Sequence, residues 1–320
     1  MKFRALLTGA VGLLLAGVAP PALAGQTVLT VYAAGTLAPP FRQLDKVFEK
    51  RHPGVVVQPE FGGSVMLAKR ITELHHRADV FASADYHVIP DYFFPESGRK
   101  GFASWYVGFV GNAITFAYTP KSRFAGQITP SNWYKVLARP GVQIGRSNPN
   151  TDPSGYQTLQ MLSLAQKFYH APGLKAKVLA NAPPTNMRDT ETALLSALQL
   201  DQIDYLAIYR SDAVQLGLKY LPLPARIDLS DPKDAAIYKT VTAQTKNGKL
   251  PGSPIVYAVT IPANAQQKTL AAQYVALLLG PKGRAIMAKN GFNVIDPAYG
   301  MDIAKMPVKL RPLVKPWPAW

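Results

Sequence analysis

Three short segments have the composition to hold a small anion: Gly35-Thr36, Gly63-Ser64 and Asp152-Pro153-Ser154-Gly155. Each joins the end of an apolar, β-rich run to the start of a helical pattern. A helix N-terminus carries backbone N–H groups without intrahelical partners and a partial positive charge. Small residues let an anion approach that backbone, and Ser and Thr hydroxyls add donors. One such loop is most simply a turn or a cap. Three of them, at the carboxyl ends of parallel strands, would converge on a ligand crevice. Other chemistry is poorly represented. The chain has no Cys, which excludes disulfides, thiolate metal sites and cysteine nucleophiles. His75 and His76 are adjacent on a helical stretch and point about 100° apart. HExxH, Walker A and G-x-S-x-G patterns are absent. Asp85, Asp91 and Glu96 read as surface or capping carboxylates, and the aromatics of 105–109 as core.

The elements that must position these loops follow from periodicity. Residues 28–33 (VLTVYA) read as a buried strand. Phe41, Leu44, Val47 and Phe48 keep helical spacing behind Pro39 and Pro40. Strand 55–61, helix 65–76 and strand 78–83 complete a β-α-β-α-β unit, the signature of a parallel sheet covered by helices. The pattern recurs in strands 112–118, 143–145 and 205–209, with helices over 133–137, 156–169 and 190–200. A strand over 253–261 and helices over 270–279 and 282–289 follow. Two α/β lobes fit this better than one, and 320 residues suffice for both.

Hydrophobic residues make up 48% and charged residues 17%, enough apolar material to exclude a disordered chain, while 28 Pro argue against a helical bundle. The net charge of +16 has no dense Lys/Arg block behind it, so it indicates no nucleic-acid partner. Residues 1–24 have the form of a cleavable export signal. Lys2 and Arg4 precede an apolar stretch, and Ala22-Leu23-Ala24 supplies the small-x-small cleavage pattern. Cleavage after Ala24 would leave +14 and a soluble, exported, periplasmic protein. The tail, 305–320, has four Pro, four basic residues and no acid, and reads as extended.

Further stretches carry a resemblance: AGTL at 34–37, HPGVVV at 52–57, GSV at 63–65, ITEL at 71–74, ADVFASADY at 78–86, SNPNTDPSGY at 147–156, YRS at 209–211, GSPIVY at 252–257 and LLLGPKG at 277–283. In these, over about residues 27–300, the chain resembles the periplasmic tungstate/molybdate-binding proteins of ABC importers, in the branch first described in archaea. The resemblance implies two α/β lobes joined by two crossing strands, with an oxyanion in the cleft between them. Lobe one would be 25–112 plus 258–304 and lobe two 113–257, hinged at 112–118 and 255–260. Gly35, Thr36 and Ser64 would donate from lobe one, and Asp152, Pro153, Ser154 and Gly155 would contribute from lobe two. No cofactor and no free metal cation is implied; the partners would be the oxyanion and a membrane permease, and the protein a monomer.

One position departs from the archaeal pattern. There, a Glu immediately before the Tyr-Arg-Ser stretch joins the Asp in a six-coordinate metal centre; here it is Ile208. The LAIYRSDA context is closer to bacterial molybdate-binding proteins, which hold a tetrahedral anion by hydrogen bonds, one from the matching Tyr. That implies Tyr209 as a donor. Asp152 is then either a ligand to the Mo or W centre or an acceptor within its own loop, because a carboxylate facing a dianion is repelled unless it coordinates or is protonated. Sulfate or phosphate remain alternative ligands. An exported enzyme on the same scaffold would need an acid/base pair that the sequence does not nominate. An adhesive role would rest on the tail.

Overall fold

The computed structural model describes residues 25–96 and 101–319. The export signal over 1–24 lies outside the described residues. In chain order, β1 (Thr27–Ala34), α1 (Ala38–Arg51), β2 (Val55–Gly62), α2 (Ser64–Thr72), β3 (Val80–Ser83) and β4 (Tyr106–Gly111) build the first part of lobe one. The chain then crosses to β5 (Ile114–Tyr118), β6 (Ile144–Ser147), α3 (Pro153–Phe168), β7 (Met187–Arg188), β8 (Tyr205–Tyr209), α4 (Arg210–Gln215) and β9 (Lys219–Tyr220). A hairpin, β10 (Thr242–Thr245) and β11 (Gly248–Pro251), precedes the return through β12 (Val256–Thr260). Helices α5 (Lys268–Leu279) and α6 (Pro281–Lys289) and strands β13 (Asn293–Met301) and β14 (Val314–Pro316) close lobe one.

Lobe one is a seven-stranded sheet in the order β14-β13-β4-β12-β3-β1-β2, and lobe two a five-stranded sheet in the order β7-β6-β8-β5-β9. β1 lies parallel to both β2 and β3, whereas β12 runs antiparallel between β3 and β4. In lobe two, β6 is parallel to β8 and to β7. Strands covered by helices on both faces must be apolar on both faces. Leu29, Val31, Phe41, Phe48 and Val80 of lobe one are accordingly buried, as are Phe116, Trp133, Ile144 and Leu162 of lobe two. The chain crosses between the lobes twice, at Asn112-Ala113 after β4 and at 252–255 before β12, and β4 and β12 pair with each other in lobe one.

Several elements differ from what local sequence suggests. The expected helix over 190–200 starts late, as a 3-10 turn (Thr192–Leu194) running into a helix over Leu195–Gln199. Thr190 Oγ1 accepts from the Ala193 N–H and contacts Thr192 Oγ1, a side-chain-to-backbone arrangement that competes with a helical turn. The tail is packed rather than extended in solvent. β14 pairs in parallel with β13, and Trp317 packs 4.8 Å from the Tyr86 ring and 5.1 Å from that of Tyr106. Its apolar residues Leu310 and Trp317 supply the burial that a count of Pro and basic residues does not show. Among the described residues no helix is long and apolar enough to cross a membrane.

Candidate functional site

Every loop singled out by composition leaves the carboxyl end of a strand. Gly35-Thr36 follows β1, Gly63-Ser64 follows β2, and the 148–155 loop follows β6. Two further strand ends join them: Ala84-Asp85 after β3, and the first turn of α4, with Ser211 and Asp212, after β8. The two lobes are closed on one another here. The N-terminus of α2 meets the loop that opens α3, where the Met66 N–H donates to the Thr151 carbonyl at 3.3 Å. A Cβ on Gly63 would lie 2.4 Å from that same oxygen, and a Cβ on Gly35 would lie 3.1 Å from Thr192 Oγ1. Glycine is needed at 63 because lobe-two backbone comes this close.

Thr36, Ser64, Asp152, Pro153, Ser154, Gly155 and Tyr209 are all buried, and Gly35 is partly buried. Ser64 Oγ accepts from the Ala84 N–H at 3.0 Å, which leaves its own hydrogen for donation. Thr36 Oγ1 lies 2.9 Å from Tyr257 Oη, and Asn112 Nδ2 donates to Tyr257 Oη at 3.1 Å and to Ser211 Oγ at 2.8 Å. This chain of polar groups runs along the hinge. Tyr209 Oη donates to Gln157 Oε1 at 2.6 Å, so in the closed molecule its proton is engaged within lobe two. Burial pushes the Tyr209 and Tyr257 phenols far up, so both stay neutral. Pro153 occupies the first turn of α3, and Gly155 packs against Asn148 and Pro149. Asp152 holds the N-cap position without capping the backbone; its Oδ2 accepts from Ser154 Oγ at 2.9 Å.

Ile208 is fully buried in an apolar cluster with Ala117, Leu194, Leu198 and Ile203, and contributes no polar group. A different acid stands beside Asp152. Glu191 Oε2 is 2.8 Å from Ser154 Oγ, and the residue is 2% exposed. Burial and the neighbouring Asp152 push its carboxyl well above the usual range. Asp212 is equally buried, is pushed up by burial and then by Asp152, and its Oδ2 has no hydrogen-bond partner. Among the described residues no group of three acids or histidines is arranged to hold a metal ion.

Asp85 is a correction to the sequence reading. It is not a surface carboxylate but is 3% exposed, and it joins the lobes: Tyr156 Oη of α3 donates to its Oδ2 at 2.7 Å. Its Oδ1 accepts from the His87 N–H and lies 3.0 Å from His87 Nδ1. Burial opposes its ionisation, but the His87 charge and these hydrogen bonds outweigh burial and hold the carboxyl below its usual range. Asp85 and Tyr156 open onto a cavity of about 540 Å³ between the lobes, walled on the lobe-two side by Asn150 and the β10–β11 hairpin.

The sequence matches the family of bacterial extracellular solute-binding proteins over residues 29–293, and the chain belongs to that family. An uncharacterized solute-binding protein of Petrotoga mobilis is 39% identical over 294 residues, covering 90% of each chain. One of Methanoculleus marisnigri is 37% identical over 319 residues, covering 91% of this chain and 88% of its own. The fold is similar to that of the Azotobacter vinelandii periplasmic molybdate-binding protein (TM-score 0.59, 21% identity, 83% of this chain and 99% of that one). It is equally similar to the Mycobacterium tuberculosis sulfate-binding protein (TM-score 0.59, 12% identity, 85% and 88%). Both are two-lobe binding proteins, and so is this chain.

The Tyr156–Asp85 bond exists only when the lobes are closed. A hydrogen bond to a charged acceptor contributes about 1.5–3 kcal/mol. Tyr156→Phe therefore weakens ligand binding by about 10- to 150-fold, read by calorimetric titration; a change under about twofold would mean that Asp85 does not latch the lobes.

Proposed function

We propose that this protein captures a tetrahedral oxyanion, molybdate or tungstate, outside the cytoplasm and delivers it to the permease of an ABC importer. The observation that carries the reading is the meeting of two helix N-termini, α2 from lobe one and α3 from lobe two, at the Met66–Thr151 contact. Both helix ends bring backbone N–H groups to this meeting point, and Ser64 adds a hydroxyl hydrogen, the donor set that an anion requires. Gly35, Thr36, Ser64 and the Ser154 backbone N–H offer neutral donors, with no Lys or Arg among them. The anion is held by hydrogen bonds, with Asp152 accepting within its own loop rather than coordinating the metal. Tyr209 orients Gln157 toward the same cleft. Donors from both lobes reach one anion only when the cleft is shut, so the ligand stabilises the closed state. Export through residues 1–24 places the protein with its permease, binding is its whole activity, and it acts as a monomer.

A second reading rests on Asp212. Phosphate at neutral pH carries a proton, and the unpartnered Asp212 Oδ2 is an acceptor for it. Calorimetric titration of the exported protein, stripped of bound anion, with molybdate, tungstate, sulfate and phosphate separates the readings. Tight binding of the first two, with sulfate and phosphate at least about 100-fold weaker, is expected; each tenfold corresponds to about 1.4 kcal/mol. Heat from phosphate or sulfate alone would overturn the choice of ligand.

A further inference from the structure

The contacts around Ser154 need more hydrogens than the serines possess. Ser154 Oγ lies 2.5 Å from Ser147 Oγ, 2.9 Å from Asp152 Oδ2 and 2.8 Å from Glu191 Oε2, and all four side chains are buried. Three oxygen–oxygen contacts of this length require three hydrogens, and each serine brings one. With both carboxylates ionised, one of them would face the Ser154 oxygen lone pair to lone pair. The third hydrogen therefore belongs to Asp152 or Glu191.

Resting on the oxyanion reading above, we propose that the cleft captures its anion together with one proton, which closure places in the Asp152–Ser154–Glu191 cluster, and that Glu191 makes capture proton-linked. In an open cleft water reaches Glu191, and a solvated carboxyl is ionised at neutral pH. Closure packs Gly35 and Gly63 of lobe one against Thr192 and Asp189, on either side of Glu191, and so removes that water and leaves the carboxyl facing Asp152 of its own lobe and the incoming dianion. One proton from solvent enters as the anion does, and the neutral carboxyl then donates where a carboxylate would repel. The groups facing Glu191 reinforce this. Asp152 at the start of α3 and Asp212 of α4 disfavour its charge. Tyr209 of β8 and Tyr257 of β12 stay neutral. Arg188 of β7 directs its guanidinium to the Thr185 and Met187 carbonyls, and Asp189 lies against Thr151. None of the ion pairs among the described residues involves Asp152, Glu191 or Asp212.

The sign follows from linkage. The closed complex holds one proton more than the open protein between the two pKa values of Glu191, so affinity falls about tenfold for each unit of rising pH in that window, and the dependence vanishes below the open-state value. The test is titration of the exported protein with sodium molybdate at fixed pH, in buffers of different ionisation enthalpy. One proton taken up per anion is expected. Glu191→Gln, whose amide donates to Ser154 but does not titrate, should lose the buffer dependence and flatten the pH profile. Binding with identical heats in every buffer would overturn the proposal alone; silence with all four oxyanions would overturn it together with the oxyanion reading. Should the variant fail to fold, the native protein still decides. Its infrared difference spectrum must gain a protonated-carboxyl band on adding molybdate, and no such band would refute the proton's place in the cluster.

Discussion

Replacing Gly63 by Ala is expected to abolish tight ligand binding while leaving the ligand-free protein as stable as the native one. The new Cβ would lie 2.4 Å from Thr151 O, 3.1 Å from Thr151 C and 3.2 Å from Asp189 O. All three atoms are lobe-two backbone, and none can step aside as a side-chain tip can. Gly63 itself has φ −62° and ψ 128°, a conformation that Ala adopts without strain. In the open protein the substitution therefore costs nothing, and by restricting the unfolded chain it can add about 0.4–1 kcal/mol. Closure is what it blocks. The helix N-termini of α2 and α3 must separate by roughly the missing van der Waals clearance, and hydrogen bonds to an anion weaken steeply with such a shift. Each charge-assisted bond contributes about 1.5–3 kcal/mol, so losing more than one lowers affinity by at least about 100-fold. Calorimetric affinity and the ligand-free melting temperature, measured side by side, check this; affinity within about twofold of native would show that closure does not require the contact.

Gly155→Ala should behave differently although it lies in the same site. Its Cβ would meet Pro149 N at 2.6 Å, Asn148 C at 2.7 Å and Pro149 Cα at 2.8 Å, all within lobe two. Position 155 is inside α3, where Ala is intrinsically better than Gly by about 1 kcal/mol. Overpacking against backbone commonly costs about 1–3 kcal/mol and sometimes more. Here rigid loop atoms stand on one side and a buried helix on the other, so the clash dominates. A lower melting temperature without ligand is expected, together with lost binding, because the Ser147–Pro149 strand end and the start of α3 can no longer pack. The pair of variants separates two roles of glycine: one permits a lobe to fold, the other permits two folded lobes to meet. An unchanged melting temperature for Gly155→Ala would contradict the assignment.

Much of this was legible because it is local. The β1-α1-β2-α2-β3 unit, α3 and β8 follow from periodicity, and the three loops that carry Gly with Ser or Thr follow from their positions between strand and helix. The parts that were not legible depend on distant chain. Asp85 looks like any polar residue after a strand, and nothing near it in sequence announces Tyr156, 71 positions away. Glu191 sits in a run of Asp and Thr that reads as a helix start; only the return of the chain beside Ser154 buries it. β13 carries Pro and Gly, is partly exposed along its length, and owes its place to pairing with β4 and β14. Tyr106–Gly111 reads as a core segment, but its partners lie 145 and more residues ahead in β12 and β13. Register between such strands is a tertiary property.

Anomalous diffraction at the molybdenum edge, from crystals of the exported protein grown with molybdate, tests the central claim most directly. A single peak between the N-termini of α2 and α3, placed so that the oxygens around it lie within hydrogen-bonding distance of Ser64 and Ser154, is the predicted result. A peak on the outer surface, with the space between those helices empty, would contradict it.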